Sequence, residues 1–173
     1  MSFLQHFKEI TTFAFDIDGV LTDGTIFVFD DGEQVRRMNI KDGYALQLAI
    51  KKGYRVVVIS GAVSEAVKIR LNKLGVQHVF LQVHDKKSTL ESYIRDEKIS
   101  WKELLFMGDD IPDLEAMQHA GMSCAPLDAA SAIRDMAKYI SPCKGGEGCV
   151  RDVIEKVMKL RGDWQLDTHV PSK

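Results

Sequence analysis

Two acidic clusters, one serine and one lysine carry the chemistry legible in this sequence. In "FAFDIDGVLTDG", residues 13 to 24, an apolar run ends in Asp16 and Asp18 and is followed at once by Gly19. Two like charges at a strand end repel one another and resist desolvation, so a positive partner is expected between them. On a continuing strand, residues i and i+2 project to the same side, which would put both carboxylates at one spot with Cα atoms roughly 6 to 7 Å apart. A hard divalent cation fits there. "MGDDIPD" puts Asp109, Asp110 and Asp113 directly after a second apolar run, and the two clusters can converge on one Mg2+, an ion that takes oxygen ligands and keeps several waters. A calcium loop counted from Asp16 would need an oxygen ligand at Val20, glycine at Leu21 and glutamate at Phe27, and it has none of them.

Two further groups suit an anion. "RVVVIS" ends in Ser60 followed by Gly61, offering a hydroxyl and a close-approaching backbone N–H near a helix start. Lys86, opening a later helix, offers a point charge for phosphate oxygens. Taken singly, Ser60 can be a helix cap and Lys86 a solvated surface residue. Placed at successive strand ends beside two acidic clusters, they complete a phosphate site.

The elements that must position these groups follow from hydrophobic period. Short runs rich in Val, Ile and Phe alternate with segments of helical period, the pattern of an α/β Rossmann-like three-layer sandwich with a central parallel sheet. Strands are expected at Thr12 to Ile17, Arg55 to Ser60, His78 to Leu81, Leu104 to Gly108 and Ser123 to Ala125. Helices are expected at Asp42 to Lys51, at Ser64 to Leu74 with Ala66, Val67, Ile69, Leu71 and Leu74 inward, and at Lys87 to Glu97, with Gly53 and Gly75 as C-terminal caps. In open sheets of this kind ligands bind beyond the C-terminal strand ends, where both acidic clusters would lie. One segment breaks the rhythm: residues 24 to 40 read as a β-hairpin inserted after the first strand, turning at Asp30, Asp31 and Gly32. Its first arm, Ile26 to Phe29, is apolar on both faces and must be covered, either by its own domain or by another subunit. The tail from Gly162 to Lys173 lacks a period and is expected to be irregular.

Composition bounds the rest. A chain of 173 residues, 45% hydrophobic and 28% charged with a net charge of −2, fits a single domain and carries no electrostatic footprint for nucleic acid or membrane. Residues 1 to 10 carry His6, Lys8 and Glu9 where a signal peptide needs an apolar core, so a cytoplasmic location is expected. Cys124, Cys143 and Cys149 form no C-x-x-C and are expected to be reduced core thiols.

The set "DIDGVLTDG", "ISG", "DKK" and "GDDIPD", in this order, resembles the four motifs of the haloacid dehalogenase superfamily of phosphotransferases, over roughly residues 13 to 157. The resemblance implies that Asp16 is the nucleophile forming an aspartyl-phosphate and that Asp18 is the general acid and base. It implies that Ser60 and Lys86 hold the transferring phosphoryl group. Mg2+ would be held by Asp16, the backbone carbonyl of Asp18, and Asp109, with Asp110 and Asp113 positioning metal-bound waters and Lys86. Proximity to Asp16 would help Asp18 keep the proton it must donate. Elementary chemistry agrees: phosphoryl transfer is mainly positioning and charge neutralisation, and a carboxylate is a competent covalent nucleophile.

Many members carry a cap domain between these motifs. Here the 41 residues from Gly19 to Ile59 are consumed by the hairpin and one helix, and the 25 from Gly61 to Asp85 by one helix and one strand, leaving no cap domain. "DIDGVLTDG", "NIKDGYALQLA" and "GGEGCVRDVIEKVM" are similar to the capless 3-deoxy-D-manno-octulosonate 8-phosphate phosphatases, and also to phosphatases of nine-carbon ulosonate 9-phosphates. That resemblance implies a sugar acid phosphate substrate in lipopolysaccharide precursor synthesis. It also implies a homotetramer with active sites shared between subunits, in which the hairpins associate and the C-terminal segment can reach a neighbouring site. Gly146 would bind substrate from the glycine-rich loop, with Gly61. Arg70 and Lys73 are candidates for the sugar-acid carboxylate, in place of an arginine that the octulosonate enzymes often carry where Glu147 stands here. A receiver-type signalling domain, which also binds Mg2+ and is phosphorylated on aspartate, would need its acceptor at the middle strand end, and that position is Ser60.

Overall fold

A computed structural model describes residues 3 to 171. Helix α1 (Phe3–Glu9) leads into β1 (Thr12–Phe15), and a tight turn at Ile17–Leu21 leads to the hairpin strands β2 (Phe27–Val28) and β3 (Gln34–Val35). There follow α2 (Ile40–Lys51), β4 (Arg55–Ile59), α3 (Glu65–Lys73), β5 (His78–Phe80), α4 (Lys86–Glu97) and β6 (Leu104–Met107). The chain ends with α5 (Leu114–His119), β7 (Met122–Ala125), α6 (Ser131–Met136), β8 (Tyr139–Ile140) and α7 (Cys149–Arg161).

Six strands form one parallel sheet in the order β5-β4-β1-β6-β7-β8. The chain builds from β1 through β4 to β5 on one side and then returns to β6 on the other. The crevice at the C-terminal end of β1 is therefore the topological switch point. Alternation along each strand feeds two cores. Phe13, Phe15, Val56, Val58, Leu105 and Met107 join α1, α2, α3 and α7, whereas Ala14, Val57, Ile59, Leu104 and Phe106 join α4, α5 and α6. This is the expected three-layer sandwich. Only α3 and β5 lie between β4 and α4, and only the hairpin between the first turn and α2, so no cap domain is present.

The differences from expectation have local causes. β1 stops at Phe15, because Asp18 (φ −75, ψ 124) and Gly19 (φ 84) turn the chain sharply. Ala66 and Ile69 are exposed, leaving Val67, Leu71 and Leu74 as the inward face of the third helix. Gly53 and Gly75 do adopt left-handed conformations just past α2 and α3, as capping glycines should. The three cysteines are free, with Cys124 and Cys149 buried. No helix among the described residues is long and apolar enough to cross a membrane.

The hairpin forms as expected, pairing Phe27 with Val35 across a turn containing Gly32. It is not covered by its own domain: Phe27, Val28 and Phe29 are 64%, 65% and 52% exposed. The tail is irregular but docked. Lys51 pairs with Asp167 at 2.6 Å, Gln47 Nε2 donates to the Pro171 carbonyl at 2.9 Å, and the Trp164 ring meets Tyr44 edge-on. The last two residues of the expected tail, Ser172 and Lys173, lie outside the described residues.

Candidate active site

The C-terminal ends of β1, β4 and β6 and the start of α4 surround a cleft of about 330 Å3, lined by Asp16, Asp18, Ser60, Gly61, Lys86, Asp109, Asp110 and Asp113 among others. Asp16 follows β1 directly, and its amide donates to the Met107 carbonyl at 3.1 Å, continuing the ladder with β6 by one bond. Its carboxylate lies against the Lys86 ammonium, 2.9 Å from Oδ1. The same ammonium is 2.5 Å from Asp113 Oδ1, and both Lys86 and Asp113 are buried. Burial alone would lower the pKa of Lys86, but the charges of Asp16 and Asp113 outweigh it and raise it, so the ammonium stays charged.

The acids feel the opposite pressure. Burial first, then the charge of Asp113, pushes Asp16 up to about 6 in spite of Lys86. Burial first, then Asp16, Asp113 and Asp110, pushes Asp109 up to about 7. Carboxylate oxygens of Asp16, Asp109 and Asp113 lie within 4.8 Å of one another. One lysine, shared between Asp16 and Asp113, cannot neutralise all three. Two buried carboxyl groups raised by burial and mutual repulsion are the environment a hard cation relieves, and the donor set is all oxygen. Mg2+ fits this site. Within the trio, Asp113 is already committed: Oδ1 to Lys86, and Oδ2 to the amides of Asp109 at 3.0 Å and Asp110 at 3.4 Å. Asp16 and Asp109 are therefore the side chains free to hold the ion.

Close backbone approach brings Asp109 in. A Cβ placed on Gly19 would lie 1.9 Å from Asp109 Oδ2, so the carboxylate occupies the space that any other residue would fill. Ser60 is 2% exposed, and its Oγ accepts from the Ala62 amide at 3.1 Å, which leaves its own hydrogen to donate to an anion.

One expectation needs correction, the pairing of the Asp18 and Asp16 side chains, and Asp110, Gly146, Arg70 and Lys73 lie outside the acidic trio. The Asp18 side chain is outside the tight acidic trio, because the chain leaves the strand at Phe15 and the i, i+2 rule no longer applies. Its Oδ1 and Oδ2 instead accept from Arg36 Nε at 2.8 Å and Nη2 at 3.1 Å, and Thr22 Oγ1 donates to Oδ1 at 3.2 Å. The Asp110 side chain turns back on its own helix start, accepting from the Ile111 amide at 2.8 Å. Gly146 does not line the cleft: it braces the catalytic loop from behind, its amide donating to the Val20 carbonyl at 2.9 Å. Arg70 lines a separate groove of about 370 Å3 between the hairpin and α3, and Lys73 lines neither. Glu147 lies on yet another groove, with Arg151 and Lys156, away from this chain's own cleft.

Sequence reasoning missed Arg36, Thr22 and Asp42. Thr22 is fully buried and its hydroxyl accepts from the Gly19 and Gly24 amides, pinning the loop. Asp42, buried, accepts from the Arg151 amide at 2.7 Å and ties α2 to the start of α7. Thr22 lies within "DIDGVLTDG" and Asp42 within "NIKDGYALQLA", but neither sits at an expected strand end, so neither drew a site role. Arg36 was hidden by its place in a hairpin read only for its apolar arm.

The model of haloacid dehalogenase-like hydrolases matches residues 78–153. The 3-deoxy-D-manno-octulosonate 8-phosphate phosphatase of Yersinia pestis is 29% identical over 163 residues, 92% of this chain and 87% of its own. A crystal structure of a probable YrbI family phosphatase from Pseudomonas syringae superposes with a TM-score of 0.91 at 32% identity, covering 93% of this chain and 92% of that one. The octulosonate 8-phosphate phosphatase of Moraxella catarrhalis, solved with magnesium, phosphate and the sugar acid, superposes at 0.90 with 31% identity and the same coverage. The chain belongs to the octulosonate 8-phosphate phosphatase family of the haloacid dehalogenase superfamily. Membership of this family accounts for the capless sheet, since the matched chains are covered almost end to end with no added domain.

Proposed function

We propose that this protein is a Mg2+-dependent phosphatase that hydrolyses 3-deoxy-D-manno-octulosonate 8-phosphate to the free sugar acid and phosphate. The observation that carries the reading is the buried Asp16 carboxylate, ion-paired to Lys86 and facing Asp109 and Ser60 on one rim of the sheet. Asp16 attacks phosphorus while the bond from phosphorus to the sugar oxygen breaks, and Asp18 gives its proton to the departing oxygen. Water then attacks the aspartyl-phosphate, Asp18 takes a proton from it, and the bond between phosphorus and the Asp16 oxygen breaks. Ser60 and the Gly61 amide hold phosphoryl oxygens, while Lys86, fixed by Asp113, neutralises their charge and restrains Asp16. Asp16 and Asp109 would hold Mg2+, with the Asp18 carbonyl as a third ligand and Asp110, on the cleft wall, near the ion's waters. Bound there, the ion offsets the repulsion between a carboxylate nucleophile and an anionic phosphate.

The chain acts as one cytoplasmic domain, and its uncapped cleft is closed by neighbours. The exposed apolar arm Ile26–Phe29 is the contact that assembles a homotetramer, as monomeric proteins rarely leave such a patch bare. In that assembly Arg70 and Lys73 meet the sugar-acid carboxylate of an adjacent site. Steady-state phosphate release from the eight-carbon and nine-carbon ulosonate phosphates, with and without Mg2+, tests the reading. Faster Mg2+-dependent turnover of the eight-carbon substrate is expected. Preference for the nine-carbon substrate would move the activity to that class, and turnover independent of Mg2+ would overturn the mechanism.

A further inference from the structure

The hairpin contains a side chain that behaves unlike its neighbours. Phe27 and Val28 stand 64% and 65% exposed, yet the Arg36 side chain is only 5% exposed. Its guanidinium leaves the hairpin and closes a two-bond fork on Asp18, Nε to Oδ1 at 2.8 Å and Nη2 to Oδ2 at 3.1 Å. Asp18 is the group that must face the departing oxygen, and it sits on the loop just past β1, where no strand ladder fixes its side chain. A planar fork sets both the position and the plane of a carboxylate, which a single hydrogen bond or a lysine cannot do. Thr22 Oγ1 adds a third donor on Oδ1, at 3.2 Å, so Oδ2 carries the fewer bonds of the two oxygens and is the one left to serve the reaction.

We propose that Arg36 is the positioning residue of this active site: by gripping Asp18 in a bidentate fork it aims Oδ2 at the leaving-group oxygen, coupling the hairpin to proton delivery. This rests on the phosphatase reading above. The rival explanation is that Arg36 merely fastens the hairpin to the domain. The two differ in how the effect depends on the leaving group. A sugar alkoxide needs a proton as its bond to phosphorus breaks, whereas p-nitrophenolate leaves as a stable anion and needs none.

The test is kcat/KM for the sugar-acid phosphate and for p-nitrophenyl phosphate, measured on wild type and on Arg36→Ala, Arg36→Lys and Arg37→Ala. Arg36→Ala is expected to lose roughly 10²-fold on the sugar-acid phosphate, as misplacement of a reacting group costs. The ratio of the two substrates should fall by at least about tenfold, because the aryl ester is spared. Arg36→Lys keeps the charge without the fork and should lower the ratio by less, which preserves the test if the alanine variant does not fold. Arg37→Ala, which removes the pair between the exposed Arg37 side chain of the same hairpin and Asp23, should leave the ratio unchanged. An equal fall on both substrates, or no fall, would overturn the role of Arg36 while leaving the phosphatase standing. A wild type inactive on both phosphates would instead overturn the phosphatase reading.

Discussion

The acidic rim around Asp16 and the hairpin that follows the same loop are built on opposite terms. Around Asp16 the groups are closely held: Lys86 is buried between two carboxylates, Asp113 is held by Lys86 and two amides, and Asp109 fills the place of a missing Cβ on Gly19. The hairpin has two-residue strands, its apolar side chains face outward, and its grip on the domain includes the Arg36 and Arg37 ion pairs and a bridge from Thr22 to Met38. A site that must stabilise developing charge gains from being preorganised. A surface proposed to meet another copy of the chain has no need to be finished alone. The difference teaches that this chain encodes the chemistry completely and the enclosure only in part.

The comparison breaks most sharply at its rigid end. Asp16→Asn should abolish phosphate release, by roughly 10⁴-fold or more given what removal of a nucleophile costs, with the Mg2+-dependent kcat as readout. Gly145→Ala attacks the brace behind the loop. The added Cβ would sit 2.0 Å from the Gly19 carbonyl oxygen, a backbone atom that cannot step aside, so denaturant unfolding should show a loss of about 3 kcal/mol. At the other end, Phe27→Glu should scarcely alter the folding of the domain but should reduce the assembly to smaller species by light scattering, with activity falling alongside. An unchanged particle size would show that the hairpin is not the contact.

The smallest effect is the most diagnostic of the metal. Asp16 at about 6 and Asp109 at about 7 bind more protons folded than unfolded, where the ordinary value is 3.8. Without the ion, stability therefore falls as pH rises from about 4 through 7. Asp42, raised by burial to about 6, adds to that slope with or without the ion. Mg2+ competes with the protons on the rim acids alone. Its stabilising shift in Tm should be larger at pH 7.5 than at pH 5.5, and the excess should vanish in Asp109→Asn.

Period and spacing made the sandwich legible: alternation along "TFAF" and "LLFM" feeds two cores, and four strand ends on one rim follow from parallel topology. They also brought Asp16, Ser60, Lys86 and Asp109 to one cleft. What period could not show was the turn after Phe15. There Gly19 at φ 84 overrides the strand and sends the Asp18 side chain to Arg36 rather than beside Asp16. Gly146 marks a similar limit: a glycine-rich loop can approach a ligand or another backbone, and only the fold shows that its amide reaches Val20. The short elements α1 and β8 escaped because seven and two residues carry too little pattern.

The central claim, that Asp16 itself becomes phosphorylated on a rim that Mg2+ completes, is tested most directly by quenching a turning-over reaction in acid and mapping the phosphorylated peptide by mass spectrometry. The modification should fall on Asp16, require Mg2+, and disappear when Asp16 is replaced by asparagine. A phosphate found on another residue, or the same Asp16 modification in the absence of any divalent ion, would contradict the account.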